Sequence, residues 1–526
     1  MYDNLTEWID TLEKEGELQR VKEYVNPDLE IAARTEQEYR KKDGGKALLF
    51  ENTGKDYPLL SNMFGSPKRM HSSLGIRSFD ELATKISNFA DTLLRDKGGF
   101  FNRLNFRFSL GEAMKWYPIM KSGHAPCQDV VQYACRISDL PILKFRKKDS
   151  TQLMNMGIVN TMDNVSGIRN AVVCPMHPIS EDSFAIHWDK HCALARNLDK
   201  CEGYRLPVAV CLGGDPALYY AGYAPLPDEI DEYLFAGFLR NQPVELVQCL
   251  TQNIQVPAEC DFVLEGYIQK REAPAPAASF ADLSGYYSAP AEFPIFHVTC
   301  ITHKKKAVYT ATVNCSPEGE KRFITLFDEE LFSAAFKLLL TPELEGIHFP
   351  DWGLKNNIVL VKINRSYCGQ AYKVANALWG TNMMMLCRML FIFDKSVDLQ
   401  DLKAIDAAIA SCYDPEEDTL FSKGPLYMFD HSVPGFAGLD GKFGGKICID
   451  ATTPKEGSKF SRGLEFIHEG EHSDARIVVT VDAGADCSAK EDRLLELGIN
   501  CNPSTSVISG GQLLLDARNR CREEKA

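Results

Sequence analysis

The sequence predicts an α/β chain of several domains, in the broad α+β multidomain sense, and three observations carry that expectation. A length of 526 residues exceeds what one hydrophobic core supports, so two or three domains are expected. Hydrophobic residues at 45% and charged residues at 25% belong to an ordinary globular protein. The pattern along the chain also changes twice: mixed helix and strand first, then a β-rich stretch, then strand–helix alternation. The expected domains are residues 1–120, 121–318 and 319–526.

In the first domain, Leu5, Trp8, Ile9 and Leu12 recur at helical spacing, so a helix is expected to end near Gly16. Ala47–Phe50 and Pro58–Leu60 read as short strands. Ser78-Phe79-Asp80-Glu81 is a capping box, opening a helix with Leu82, Ile86, Phe89 and Leu93 on one face. The basic run Lys144–Lys148 reads as a solvated turn.

From about 150 to 318, Ala171–Val173, Val208–Val210, Phe262–Leu264, Phe296–Thr299 and Val308–Thr312 are rich in β-branched and aromatic residues, as strands are. Ile230–Leu239 reads as a helix with Glu232 in its first turn. Ala273–Ala278 alternates alanine and proline and is expected to be a loop without regular structure. In the last third, Ile358–Ile363 and Met389–Phe393 are strands, and Ala371–Leu378 and the segment through Leu402–Ile405 are helices. That order predicts a parallel, doubly wound sheet. A strand over Arg476–Thr480 and a helix over Lys490–Leu497 follow. The Met383–Met385 run reads as core or interface packing, and no internal repeat is visible.

The net charge of −14 argues against a nucleic-acid backbone or an anionic membrane surface as the main partner. An anionic cofactor needs only a local cation. The first residues carry neither a basic nor an apolar leader segment, so no signal peptide is expected. No apolar run approaches the roughly 18 residues of a membrane span. Seventeen cysteines show no CxxC pair, which predicts buried thiols in a reducing cytoplasm. Cys192 and Cys448 stand in site-like segments, but nothing beside either marks an activated thiolate.

The most specific chemistry lies in Asn164-Val165-Ser166-Gly167-Ile168-Arg169, read with His191 and Glu232. Asn, His and Glu can hold a hard divalent ion through oxygen and nitrogen, and Arg169 can face a carboxylate or phosphate with two parallel hydrogen bonds. Taken singly, each is more often a structural polar residue. Their contexts are more telling: Leu206-Pro207-Val208…Gly213-Gly214-Asp215-Pro216, Pro225-Leu226-Pro227-Asp228…Asp231-Glu232-Tyr233, and Val256-Pro257-Ala258…Leu264-Glu265-Gly266-Tyr267. With Asn62–Ser66, His297–Thr299, Gly369-Gln370-Ala371, Ala377–Gly380 and Lys446–Thr452, these blocks resemble the UbiD family of decarboxylases.

The resemblance implies a central split β-barrel between N- and C-terminal α/β domains, and prenylated FMN as cofactor. It places a manganese or magnesium ion on Asn164, His191 and Glu232, often with potassium alongside. Gly167, Ile168, Arg169, His187, Trp188, Asp189, Cys192 and Ala193 would meet the flavin. Arg169 would orient a substrate carboxylate, and Asp282, in Phe280-Ala281-Asp282-Leu283-Ser284, would deliver the proton. The family's glutamate five residues before that acid is Ala277 here, and Glu272 is the nearest carboxylate that a folded-back loop would offer. The implied reaction is reversible, non-oxidative decarboxylation of an aromatic or conjugated acid. The C-terminal blocks look closest to quinone-biosynthesis members acting on naphthoate-type acids or prenylated hydroxybenzoate. A catabolic phenolic-acid decarboxylase is the alternative, and a flavin-binding subunit without activity a third reading. A flavin prenyltransferase would supply the cofactor, and a homo-oligomer, dimer or hexamer, is expected.

Overall fold

The computed structural model describes the chain apart from residues 1, 95–113, 164, 189, 227–229, 278, 290, 314, 316, 355–356, 383, 435–440, 458–459, 483–489 and 520–526. Asn164, Asp189 and Met383 therefore lie outside the described residues, as do the side chains of Phe89, Leu93 and Ala277.

Helix α1 (Leu5–Lys14) starts at Asn4, whose side chain accepts from the Glu7 amide, and buries the predicted stripe of Leu5, Trp8, Ile9 and Leu12. Strand β1 (Leu18–Tyr24), helix α2 (Glu30–Tyr39), strands β2 (Ala47–Asn52) and β3 (Leu59–Ser61), and helices α3 (Pro67–Ser73) and α4 (Phe79–Leu94) complete this part. The Glu81 amide donates to Ser78 Oγ at 3.4 Å, closing half of the predicted capping box. The Lys144–Lys148 turn exposes Lys147 and Lys148 but buries Phe145 and ties Arg146 to Glu36.

The middle of the chain contains β4 (Ile119–Met120), β5 (Val130–Gln132), β6 (Ile158–Met162), β7 (Arg169–Val173), β8 (Met176–Ser180), β9 (Ser183–Ile186), α5 (Ala193–Lys200), β10 (Arg205–Leu212), α6 (Pro216–Tyr223), α7 (Glu232–Arg240), β11 (Glu245–Gln248), β12 (Gln255–Pro257), β13 (Phe262–Gln269), β14 (Ala275–Ala277), β15 (Ala291–Phe293), β16 (Ile295–His303) and β17 (Tyr309–Ala311). The main sheet runs β7-β6-β10-β13-β16-β9-β8, with β5 on β16. β7 and β8 end that path at opposite sides, yet only Cys174 and Pro175 separate them in sequence. The sheet must therefore curl until its ends nearly meet, and the Met154–Met176 bridge and the Cys174 amide on Gly157 O lie at the seam. This curled half-barrel is the split barrel that the family resemblance implied.

Two local expectations are corrected. The strand predicted over Val308–Thr312 does not join the barrel: β17 pairs in parallel with β3, completing a β1-β2-β3-β17 sheet in the N-terminal part. A parallel neighbour cannot come from a tight hairpin, so a remote segment has to supply it. The proline-rich segment is also not all loop. β14 pairs antiparallel with β15, Pro276 opposite Glu292, and proline is tolerated in so short an edge ribbon because alternate N–H groups there need no ladder partner.

The C-terminal part contains α8 (Lys321–Leu339), β18 (Leu344–His348), β19 (Ile358–Ile363), α9 (Gln370–Trp379), β20 (Met389–Asp394), α10 (Leu402–Cys412), β21 (Thr419–Leu426), β22 (Lys442–Ala451), β23 (Arg462–Ile467), β24 (Ala475–Thr480), α11 (Lys490–Asn500), β25 (Val507–Ser509) and β26 (Gln512–Asp516). Its first sheet, β18-β19-β20-β22-β21, is parallel only at its centre; β18 and β21 run antiparallel at the edges, so the sheet is mixed rather than wholly parallel. Burial alternates strictly. Ile358, Leu360, Met389 and Phe391 face one core with Leu494, Leu497, Val479 and Leu513, while Val359, Val361, Leu390 and Ile392 face the other with Val374 and Leu378. A second sheet, β23-β24-β26-β25, lies on the first of these faces. Among the described residues no helix is long and apolar enough to cross a membrane.

Candidate active site

The hairpin between β6 and β7 is tightened by Asp163. Its carboxylate accepts from the Val165 and Ser166 amides, and its carbonyl accepts from the Gly167 amide. Gly167 has φ +73° with open space where a Cβ would stand, so a ligand can approach the backbone there. Arg169 follows at the start of β7, its side chain only 10% exposed. Its guanidinium holds Asp231 at 2.7 Å and Gln255 Oε1 at 2.9 Å, and lies 5.5 Å from the centre of the Tyr233 ring.

Asp231 also caps α7, accepting from the Tyr233 amide at 2.8 Å, which brings Glu232 into the first turn against β7. One Glu232 oxygen accepts from Asn170 Nδ2 at 2.8 Å and the other from the Ala171 amide at 2.9 Å. Burial pushes this carboxyl up to about 7, against the pull of the Ala171 amide and Arg169. Arg169 Nε and Asn170 Oδ1 are buried and have no hydrogen-bond partner among the described residues. The unmet Arg169 donor fits an anionic group, and the unmet Asn170 oxygen a donor or a cation.

The end of β9 carries His187 and Trp188, both buried. The His187 amide donates to Pro175 O at the barrel seam. Its ring stacks on Phe293 at 4.3 Å and on Phe280 at 4.9 Å, and its Nε2 lies 2.8 Å from His177 Nδ1. Burial holds His177 down to about 4 and His187 well below the usual imidazole range, so both rings stay neutral. His187 Nδ1 is a further buried atom without a partner among the described residues. Cys192 and Ala193 open α5 just after His191.

Asp282 is buried in a turn closed by its own amide on Tyr286 O at 3.0 Å. One carboxylate oxygen accepts from the Ser284 amide at 2.7 Å and from Ser284 Oγ; the other meets His431 Nε2 at 2.8 Å. Ser284 Oγ also lies 2.9 Å from that imidazole nitrogen. The three line a cavity of about 230 Å³ with Leu283, Leu354 and Phe429. Phe429 and Phe280 stack edge to face at 5.0 Å, so aromatic packing connects the cavity wall to His187.

The predicted residues thus fall into two groups. Arg169 and Glu232 meet through Asn170 and Asp231, while Asp282 is held by His431 and Ser284; Arg169 and Asp282 are not hydrogen-bond or ion-pair partners of each other. Among the described residues no three His, Cys, Asp or Glu side chains stand together as metal ligands. Glu272 pairs with His297 at 2.8 Å. Asp231, His177, Ser284 and His431 were missed as site residues. Asp231 had a local signal, as the residue before Glu232 at a helix start; for the His177–His187 and Asp282–His431 pairs no sequence spacing gives one.

Three family models match. The 3-octaprenyl-4-hydroxybenzoate carboxy-lyase Rift-related domain of UbiD covers residues 119–317, and the corresponding N- and C-terminal domains cover 9–87 and 323–451. An uncharacterised protein of Aquifex aeolicus is 35% identical over 465 residues, 88% of this chain and 94% of that one. One of Archaeoglobus fulgidus is 35% identical over 458 residues, 86% of this chain and 92% of that one. The fold is similar to that of Sedimentibacter hydroxybenzoicus vanillic acid decarboxylase in closed form, at TM-score 0.75 and 23% identity over 89% of this chain and 96% of that one. It is also similar to the UbiD-class enzyme HmfF of Pelotomaculum thermopropionicum in complex with FMN, at TM-score 0.67 and 23% identity over 87% and 96%. This is a three-part protein with a half-barrel at its centre, and it belongs to the UbiD family.

Proposed function

We propose that this chain is a carboxy-lyase that uses prenylated FMN to decarboxylate, reversibly, an aromatic or α,β-unsaturated acid. The observation that carries the reading is Asp282, a buried carboxyl held between Ser284 and His431 on the wall of a cavity. Loss of carbon dioxide leaves an electron pair on carbon, which needs a sink and then a proton. Side chains offer no such sink; prenylated FMN, when bound, supplies it.

The chain's own residues do the rest. The open backbone at Gly167 and Ile168, the unpartnered Arg169 Nε and His187 Nδ1, and the segment Trp188, Asp189, Cys192 and Ala193 would hold the flavin. Glu232 and His191, with Asn164, would hold a manganese or magnesium ion, which keeps a carboxyl that burial has raised in its charged form; potassium would accompany it. Arg169, already oriented by Asp231 and Gln255, would face the substrate carboxylate. Asp282 delivers the proton, and His431 keeps its carboxyl aimed into the cavity.

The cavity of about 230 Å³ beside Asp282 has room for one ring or two fused rings at the acid. Naphthoate-type quinone precursors, prenylated hydroxybenzoate and phenolic acids all present such a ring. Ala277 favours a second reading, a flavin-holding subunit without turnover, because the usual carboxylate is missing and Glu272 is committed to His297. No disulfide joins the described cysteines, as suits a reducing cytoplasm, and a homo-oligomer fits the reading. Loading the protein with prenylated FMN and measuring carbon dioxide release from 1,4-dihydroxy-2-naphthoate, 3,4-dihydroxybenzoate and vanillate tests the proposal. Release from any of the three is expected; a loaded protein inert to all of them supports the subunit.

A further inference from the structure

Two connections run from α11, beyond the 323–451 match, to the acid of the candidate site. The Tyr286 hydroxyl donates to the Glu496 carboxylate, 3.2 and 3.3 Å from its two oxygens. Burial, and next to it Glu496, pushes the Tyr286 hydroxyl up, so it remains a donor. Asn500 Nδ2, one turn along α11, holds Glu496 Oε2 at 2.7 Å and fixes the carboxylate. At the other end, Tyr286 shapes the Asp282 turn. Its carbonyl accepts from the Asp282 amide, its amide donates to Ser284 Oγ at 3.2 Å, and its ring lies 5.8 Å from that of His431. Both partners of Asp282 therefore rest on Tyr286.

The second connection is Arg388, buried with 1% exposure. Its guanidinium donates to the carbonyls of Gly498 and Cys501 at the end of α11, where a cation suits the helix dipole. Its Nε pairs at 3.0 Å with Asp430, the residue before His431. Asn357, on the cavity wall, donates to the same Gly498 carbonyl at 3.0 Å. A Cβ at 498 would stand 2.4 Å from the Trp352 carbonyl, so only glycine lets α11 sit this close. Leu494 and Leu497 lock the helix into the core that contains Leu360 and Phe391.

We propose that the C-terminal unit is a positioning element of the active site, with Glu496 as its positioning residue, acting through Tyr286 on Ser284 and His431. The inference rests on Asp282 being the acid of the proposed reaction. Neither Glu496 nor Arg388 lines the cavity, so their effect is on alignment, where a displacement of about 1 Å costs on the order of 10²-fold in rate.

The test uses the full chain loaded with prenylated FMN, with 1,4-dihydroxy-2-naphthoate and 3,4-dihydroxybenzoate as probes. Glu496→Ala should lower kcat by roughly 10- to 10²-fold with little change in KM, and Tyr286→Phe should do the same. Glu496→Gln keeps an acceptor for the tyrosine once the Asn500 amide turns its oxygen toward the new Nε2, and should recover most of the rate. A merely structural loss would reduce the amount of folded enzyme and leave the kcat of the folded fraction intact. In parallel, histidine labelled with ¹³C at Cε1 gives an NMR signal for His431, assigned by its loss in His431→Gln. That signal should move in Glu496→Ala and return in Glu496→Gln. An unmoved His431 signal, or an unchanged kcat where the wild type turns over, overturns the proposal. If the wild type releases no carbon dioxide from either probe or from vanillate, the functional reading is the one that fails, and the His431 signal alone decides the positioning.

Discussion

Replacing Asp282 by Asn removes an acidic proton while changing little else in the turn. The amide oxygen of Asn can still accept from the Ser284 amide, now 2.7 Å from the carboxylate, and from Ser284 Oγ. The contact that changes is the one at 2.8 Å with His431 Nε2, where an amide nitrogen takes the place of a carboxyl oxygen. Leaving one buried hydrogen-bonding group unmet there costs about 1–3 kcal/mol. A positioned acid contributes roughly 10²–10⁴-fold to turnover, about 2.7–5.4 kcal/mol of barrier at 1.36 kcal/mol per decade. Activity should therefore fall further than stability, with flavin content unchanged. The assay is carbon dioxide release together with deuterium incorporation into the product in heavy water, beside a thermal melt. Survival of both turnover and deuterium incorporation in Asp282→Asn would refute the assignment. Glu272, held by His297, would then be the next carboxyl to test.

In Glu232→Gln the new amide must face either Asn170 Nδ2 or the Ala171 amide, both donors. One donor is left unmet at a cost of about 1–3 kcal/mol, and FMN retention measured by absorbance should drop; full occupancy with unchanged metal content would exclude Glu232 as a ligand. Gly498→Ala drives a methyl against the Trp352 carbonyl and should cost about 1–3 kcal/mol by overpacking, read as a lowered melting temperature; an unchanged melt contradicts the close approach. His177 ionises near 4 in the folded protein against 6.5 when free, so the unfolded chain binds the extra proton first. Stability should fall as pH drops from about 6.5 toward 4, by on the order of 3 kcal/mol at 1.36 kcal/mol per pH unit. His177→Asn should lessen the slope of the melting temperature against pH there, His187 keeping its own share, and an unaltered slope argues that the acid sensitivity arises elsewhere.

What the sequence determined by itself is what short-range physics encodes. The α1 stripe, the Ser78 capping box, Glu232 in the first turn of its helix and the strand at Ile358–Ile363 all rest on hydrogen bonds within a few residues or on burial of period 3.6 or 2. The ordered blocks around Arg169 and Glu232 were legible for the same reason, as each is a local backbone shape with its own residue signature. Tertiary structure alone decided where those pieces meet. β17 pairs with β3 although the barrel's strands lie between them in the sequence, and β14 became a strand only because β15 arrived beside it. Asp282 and His431 are 149 residues apart, and Tyr286 and Glu496 are 210 apart. No local propensity distinguishes such partners from any other buried polar residue. They are selected when the curled sheet and the two C-terminal sheets close their cores, because a buried polar group without a partner costs about as much as the contacts that bury it contribute.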